Sequence, residues 1–216
     1  EPGYTGVDRQ AVAGADDATR TVGFDQYPID QPQSAVYDDA VETARIDIRS
    51  VGCAVIKNFV RPDALERLGV EIAERKHTTH FSTQVINPYF HFHHIDEWPD
   101  RHPMNTFLER SSGFIPGDSW EDTTAMRAIF EHPDLARFLA DCLEIPELHP
   151  YADPLAGLTA NILDPGQQFT WHFDTNEFTV SIQLQKPEKG GVFEFAPNIR
   201  TPQTECYDDV AAVLEG

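Results

Sequence analysis

The chain has 216 residues, 40% of them hydrophobic, which is enough to bury a core without disulfide staples. Sixteen Lys and Arg stand against thirty-six Asp and Glu, and the formal net charge of −20 argues against a nucleic-acid partner or an anionic membrane surface. A mean hydropathy of −0.41 agrees with the absence of a long apolar run, so no transmembrane helix is expected.

Glu1-Pro2-Gly3-Tyr4 has neither the basic nor the apolar region of a signal peptide. Cys53, Cys142 and Cys206 are odd in number, far apart and without CxxC spacing, so free thiols in a reducing, cytoplasmic compartment are expected. Residues 1–33 scatter Gly3, Gly6, Gly14, Gly23, Pro28 and Pro32 among acids and read as an irregular N-terminal arm. Residues 34–216 read as a single domain. Val36, Ala40, Val41, Ala44 and Ile48 recur at helical spacing and stop at Gly52. Cys53–Val60 is short, apolar and β-branched, which predicts a strand. Pro62 and Asp63 open a helix through Leu65, Leu68, Val70, Ile72 and Ala73, closed by the basic pair Arg75-Lys76.

Residues 77–118, rich in His, Pro and aromatics, read as a long functional loop. Ser119 or Asp122 caps the next predicted helix, which carries Met126, Ile129 and Phe130. Pro133 opens another through Leu135, Phe138, Leu139 and Leu143. Beyond Pro146 the period changes from 3.6 to 2, and only Tyr207–Leu214 reads as a further helix. Helices first and strands later predict an α+β fold with an antiparallel sheet.

The chemistry lies between Leu158 and Pro197. Leu158–Leu163 alternates and stops at the turn Asp164-Pro165-Gly166. In an extended Phe169–Asp174, Phe169, Trp171 and Phe173 share one face and Thr170, His172 and Asp174 the other. The imidazole and carboxylate then stand about 6–7 Å apart at Cα, close enough for their tips to converge on one ion. An N and an O donor of this kind suit Fe(II), Mn(II) or Zn(II). Phe178–Gln185 alternates next, with Thr179, Ser181, Gln183 and Gln185 on its polar face, and Val192–Phe195 returns after Gly190-Gly191.

Asn161, Pro165-Gly166, Trp171-His172-Phe173-Asp174, Leu184-Gln185, Gly190-Gly191-Val192-Phe193-Glu194-Phe195 and Pro197, in this order, resemble the Fe(II)/2-oxoglutarate-dependent dioxygenase superfamily. The resemblance is to its small-molecule, amino-acid hydroxylase-like branch, and it is strongest over residues 125–197. It implies an α+β fold with a mainly β core, a double-stranded β-helix (jelly-roll, cupin-like) with an N-terminal helical buttress. It also implies that His172 and Asp174 are two members of a 2-His-1-carboxylate triad holding Fe(II), with 2-oxoglutarate as co-substrate and O2 as oxidant. Asn161, Thr179 and Gln183 are the implied 2-oxoglutarate contacts, and a small polar metabolite such as an amino acid is the implied substrate. A carboxylate at Asp174 disfavours radical halogenation, which needs that coordination position vacant. Hydroxylation, desaturation and cyclisation remain compatible.

A second histidine and a basic residue for the distal carboxylate of 2-oxoglutarate are expected after Asp174. No histidine follows, and Arg200 is the only arginine there. Three readings stay open: the last strands lie outside this sequence, an upstream histidine completes the triad, or the protein binds without catalysing. His91, His93 and His94 form a rival cluster, read as a surface loop, a substrate-covering lid or a source of the missing ligand. His77 and His80 read as helix-end residues, and His102, His132 and His149 as structural. A cupin-like binding or scaffold protein and a zinc-dependent cupin-like enzyme are the alternative classes. The lack of Ser-His-Asp, Walker and GxGxxG arrangements removes serine hydrolases, P-loop NTPases and Rossmann dehydrogenases.

Overall fold

A computed structural model describes residues 22, 23 and 26–216. Most of the N-terminal arm read from the sequence lies outside the described residues, but Val22 and Ile29 are buried in the core. Helix α1 spans Ala35–Val51. Ser34 caps it, its Oγ accepting the Tyr37 N–H at 3.2 Å. The helix stops at Gly52, where a φ of 72° suits glycine and the N–H returns to the Ile48 carbonyl. Helix α2, Pro62–Arg75, carries its proline in the first turn, where a missing N–H costs nothing.

Helix α3, Ala125–Phe130, is capped by Thr124 rather than by Ser119 or Asp122. Glu71 of α2 adds a second cap, its two carboxylate oxygens accepting the Ala125 and Met126 N–H groups at 2.7 and 3.2 Å. Helix α4, Pro133–Leu143, is capped by His132, whose Nδ1 accepts the Asp134 and Leu135 N–H groups at 3.1 and 3.4 Å. Burial holds His132 below the usual histidine range, which favours the neutral ring that this cap requires.

The larger core cluster is helical: Tyr37, Val41 and Ala44 of α1 meet Leu68 of α2, Ile129 of α3 and Phe138 of α4. Asp141 ties α4 to α1, its carboxylate accepting the Tyr37 hydroxyl at 2.5 Å and its carbonyl accepting Arg45 Nε–H at 2.8 Å. Burial, and then the Asp141 carboxylate, push the Tyr37 phenol up to about 12.

Strands β1 (His80–Ile86), β2 (Leu108–Ile115) and β3 (Ala160–Ile162) form an antiparallel sheet in the order β1-β2-β3. Phe114 pairs with His80 on one side and Asn161 on the other. The period of two therefore sets Arg110, Ser112, Phe114 and Asn161 on one face. The opposite face carries Ile115 and Ala160, which with Trp120 pack against Ile72 of α2 and Met126 of α3. After β3 the chain loops out through Asp164–Gln167. Gln168 then rejoins β2 opposite Ser111, with two reciprocal backbone hydrogen bonds of 2.9 Å.

The α+β class and the antiparallel pairing are observed, but helices and strands are interleaved rather than segregated. Among the described residues the segment 53–60, read as a strand, makes only the single bridge Val60–Val22, and Asn58 turns left-handed within it. The segment 77–118, read as a loop, holds the two longest strands among the described residues. Residues 169–174, 178–185 and 192–195, read as strands, join no ladder among the described residues, and Val180, Val192 and Phe193 are exposed. Alternation marks the face each side chain takes, whereas a ladder also needs a neighbouring chain. The last helix, α5, is Tyr207–Glu215. No helix among the described residues is long and apolar enough to cross a membrane.

Candidate metal site and the cavity beside it

The site begins with a buried amide. Asn87 follows β1 and is fully buried; its Nδ2 donates to the Met104 carbonyl at 2.7 Å. Its Oδ1 accepts the Tyr89 and His91 N–H groups at 3.0 and 2.9 Å. These bonds hold a tight reversal in which Phe90 takes a φ of 63°. The Pro88 carbonyl on this reversal accepts the Phe173 N–H at 3.0 Å, which docks Phe169–Asp174 against it. Tyr89 then lies 5.2 Å from the Phe173 ring, and Phe90 lies 5.5 Å from the His172 ring.

Within this frame His172 Nε2 stands 3.3 Å from Asp174 Oδ1. Nδ1 of the same ring stands 2.7 Å from the Thr170 carbonyl oxygen. A carbonyl only accepts, so the proton is assigned to Nδ1, and in the neutral ring the Nε2 lone pair faces the carboxylate. Asp174 Oδ2 accepts the Thr179 hydroxyl at 2.7 Å. Two electron-pair donors thus converge, each held from behind by a hydrogen bond, as metal ligands commonly are. The donor set fits a borderline divalent metal. Among the described residues no group of three His, Cys, Asp or Glu completes such a site.

The sequence-read residues fall in different places. Thr179 sits on Asp174 and orients it. Asn161 lines a cavity of about 340 Å³ with Arg110, Ser112, Phe114, Asp153 and Thr159. Gln183 is exposed and makes no side-chain hydrogen bond among the described residues. Of the rival cluster, His91 and His93 are exposed. His94 lies between Asp96 and Asp100 at 3.3 and 3.2 Å, in a separate exposed cluster. His77 Nδ1–H donates to the Glu74 carbonyl, and His80 stacks on Phe114 within the sheet. His102 accepts the Met104 N–H and stacks on Trp98.

Sequence reading missed Arg110. Its guanidinium lies 4.7 Å over the Phe169 ring and 5.8 Å over Phe90, the two rings that contact His172. Burial lowers its pKa from the usual arginine range, and the Asp174 charge pulls it back up. The available signal was the alternation of Arg110, Ser112 and Phe114. Arg200, the only arginine that follows Asp174, lies over Phe173 and is paired with Glu205 at 2.8 Å. A larger cavity of about 730 Å³, between Pro99–Pro103 and the start of α5, contains none of the predicted site residues. Comparison with protein-family models, curated proteins and solved structures finds no match to this chain.

Proposed function

We propose that the protein is a non-haem iron oxygenase that couples 2-oxoglutarate decarboxylation to oxidation of a small polar metabolite such as an amino acid. The oxidation is a hydroxylation, desaturation or cyclisation, and the complete fold is a double-stranded β-helix with a helical buttress. The observation that carries the reading is the convergence of His172 Nε2 and Asp174 Oδ1 at 3.3 Å.

His172 and Asp174 would hold Fe(II), which when bound supplies the oxidising chemistry with 2-oxoglutarate and O2. The Thr170 carbonyl fixes the imidazole tautomer, and the Thr179 hydroxyl fixes the carboxylate. The Phe90 and Phe169 rings shield the imidazole from water. The cavity lined by Arg110 and Asn161 has the volume of a small-metabolite site. Cys53, Cys142 and Cys206 are free thiols, which suits a reducing, cytoplasmic setting.

The test is anaerobic Fe(II) uptake by the full chain, followed by succinate release with 2-oxoglutarate and candidate amino acids. Stoichiometric uptake that is lost in His172→Ala and Asp174→Ala supports the reading. Uptake unchanged in Asp174→Ala overturns it.

A further inference from the structure

Arg110 stands apart from four other half-buried arginines. Arg45, Arg75, Arg127 and Arg137 each donate to a backbone carbonyl. Arg110 makes no hydrogen bond or ion pair among the described residues, although the chain has thirty-six acids for sixteen bases. Its head is held by ring faces and by the charge of Asp174 rather than by hydrogen bonds, which leaves its N–H donors unused. Arg110 lines the cavity with Ser112, Thr159 and Asn161, whose side chains offer neutral hydrogen-bonding groups, and with the Asp153 carboxylate, one oxygen of which is engaged by the Leu155 and Ala156 N–H groups. A half-buried guanidinium with its planar fork unused matches a carboxylate bidentately.

We propose that Arg110 anchors a carboxylate of the small molecule seated in the cavity beside His172 and Asp174. The inference deepens the oxygenase reading and rests on it for the neighbouring metal, but not for the anion. Two sources supply this chemistry: 2-oxoglutarate, and an amino-acid substrate.

The experiment titrates the full chain calorimetrically with 2-oxoglutarate and, in a second arm, with individual proteinogenic L-amino acids. The arm that binds identifies the source. For that ligand, replacing carboxylate by carboxamide weakens binding to the unmodified protein at least tenfold. Arg110→Gln weakens the carboxylate form by about ten- to hundredfold, and Arg110→Lys falls between. Binding in neither arm, equal affinity for carboxylate and carboxamide, or unchanged affinity in Arg110→Gln overturns the proposal. The carboxamide comparison holds even where Arg110→Gln fails to fold. Metal uptake is measured separately. Arg110-dependent anion binding without metal uptake sinks the oxygenase reading alone, and metal uptake without anion binding sinks this proposal alone.

Discussion

Nδ1 of His172 lies 2.7 Å from the carbonyl oxygen of Thr170, two residues earlier in the same chain. The segment thus sets the tautomer of its own imidazole and presents the other ring nitrogen to Asp174, while the Pro88 carbonyl and the Phe90 ring dock the segment as a whole. Asp174 depends instead on the Thr179 hydroxyl at 2.7 Å. Thr179→Val removes that bond at an exposed position, so folding is retained. Metal affinity falls about ten- to hundredfold, measured by competition with a chelator. Thr179→Ser keeps most of the affinity.

His132 makes stability depend on pH. Its folded pKa is lowered by burial, so the unfolded chain binds the proton more readily. The contribution is complete above the unfolded value of about 6.5 and is lost as the pH falls below it. Protonated Nδ1 no longer accepts the Asp134 and Leu135 N–H groups. His132→Asn, which retains an N-cap oxygen, therefore melts with a flatter dependence on acid pH. His132→Ala loses about 1 kcal/mol at neutral pH. Thermal melts across the acid range distinguish these outcomes.

Tyr37 acts at the other end of the scale. Its phenol is raised to about 12, first by burial and then by Asp141, so its stabilising contribution is present below about pH 10 and lost towards 12. Tyr37→Phe leaves the Asp141 carboxylate without its 2.5 Å donor and costs about 1.5–3 kcal/mol in denaturant unfolding at neutral pH. Burial raises the Tyr89 phenol to about 12 as well, so an ultraviolet titration shows two late-ionising tyrosines among the described residues, of which the variant retains only Tyr89.

Gly117 meets the backbone of the cavity wall. A Cβ there would lie 2.3 Å from the Pro154 carbonyl oxygen, in the segment that carries Asp153 and Leu155. Its N–H also donates to the Leu155 carbonyl at 2.9 Å. Gly117→Ala must displace that wall, at a cost of about 1–3 kcal/mol, together with weaker ligand binding in calorimetry. Ala125→Gly, buried but away from the cavity, gives a stability loss without the binding defect.

These contacts separate what was legible in the sequence from what was not. Ser34, Gly52, Pro62 and Pro133 marked helix ends because capping is settled within a few residues of the chain. The His172/Asp174 pair was legible for the same reason, being two positions apart. β1 and β2 were hidden because their open face carries His80, Ser82, Gln84, Arg110 and Ser112, so little apolar alternation marks the strands. Their pairing links positions far apart in sequence, which a local pattern does not encode. Arg110 was lost with β2. The alternation of Phe178–Gln185 was real, yet it names two faces and no neighbour.

The excursion Asp164–Gln167 leaves β2 at Ile162 and returns to it at Gln168, so both stems are fastened to the same strand. Its tip at Pro165 and Gly166 is exposed. Length at this tip is therefore uncoupled from the placement of His172 and Asp174. A short Gly-Ser insertion between Pro165 and Gly166 leaves the melting temperature and metal uptake within error. The same insertion after Gln168 displaces Phe169 from Arg110 and the Phe173 N–H from the Pro88 carbonyl, and lowers the melting temperature.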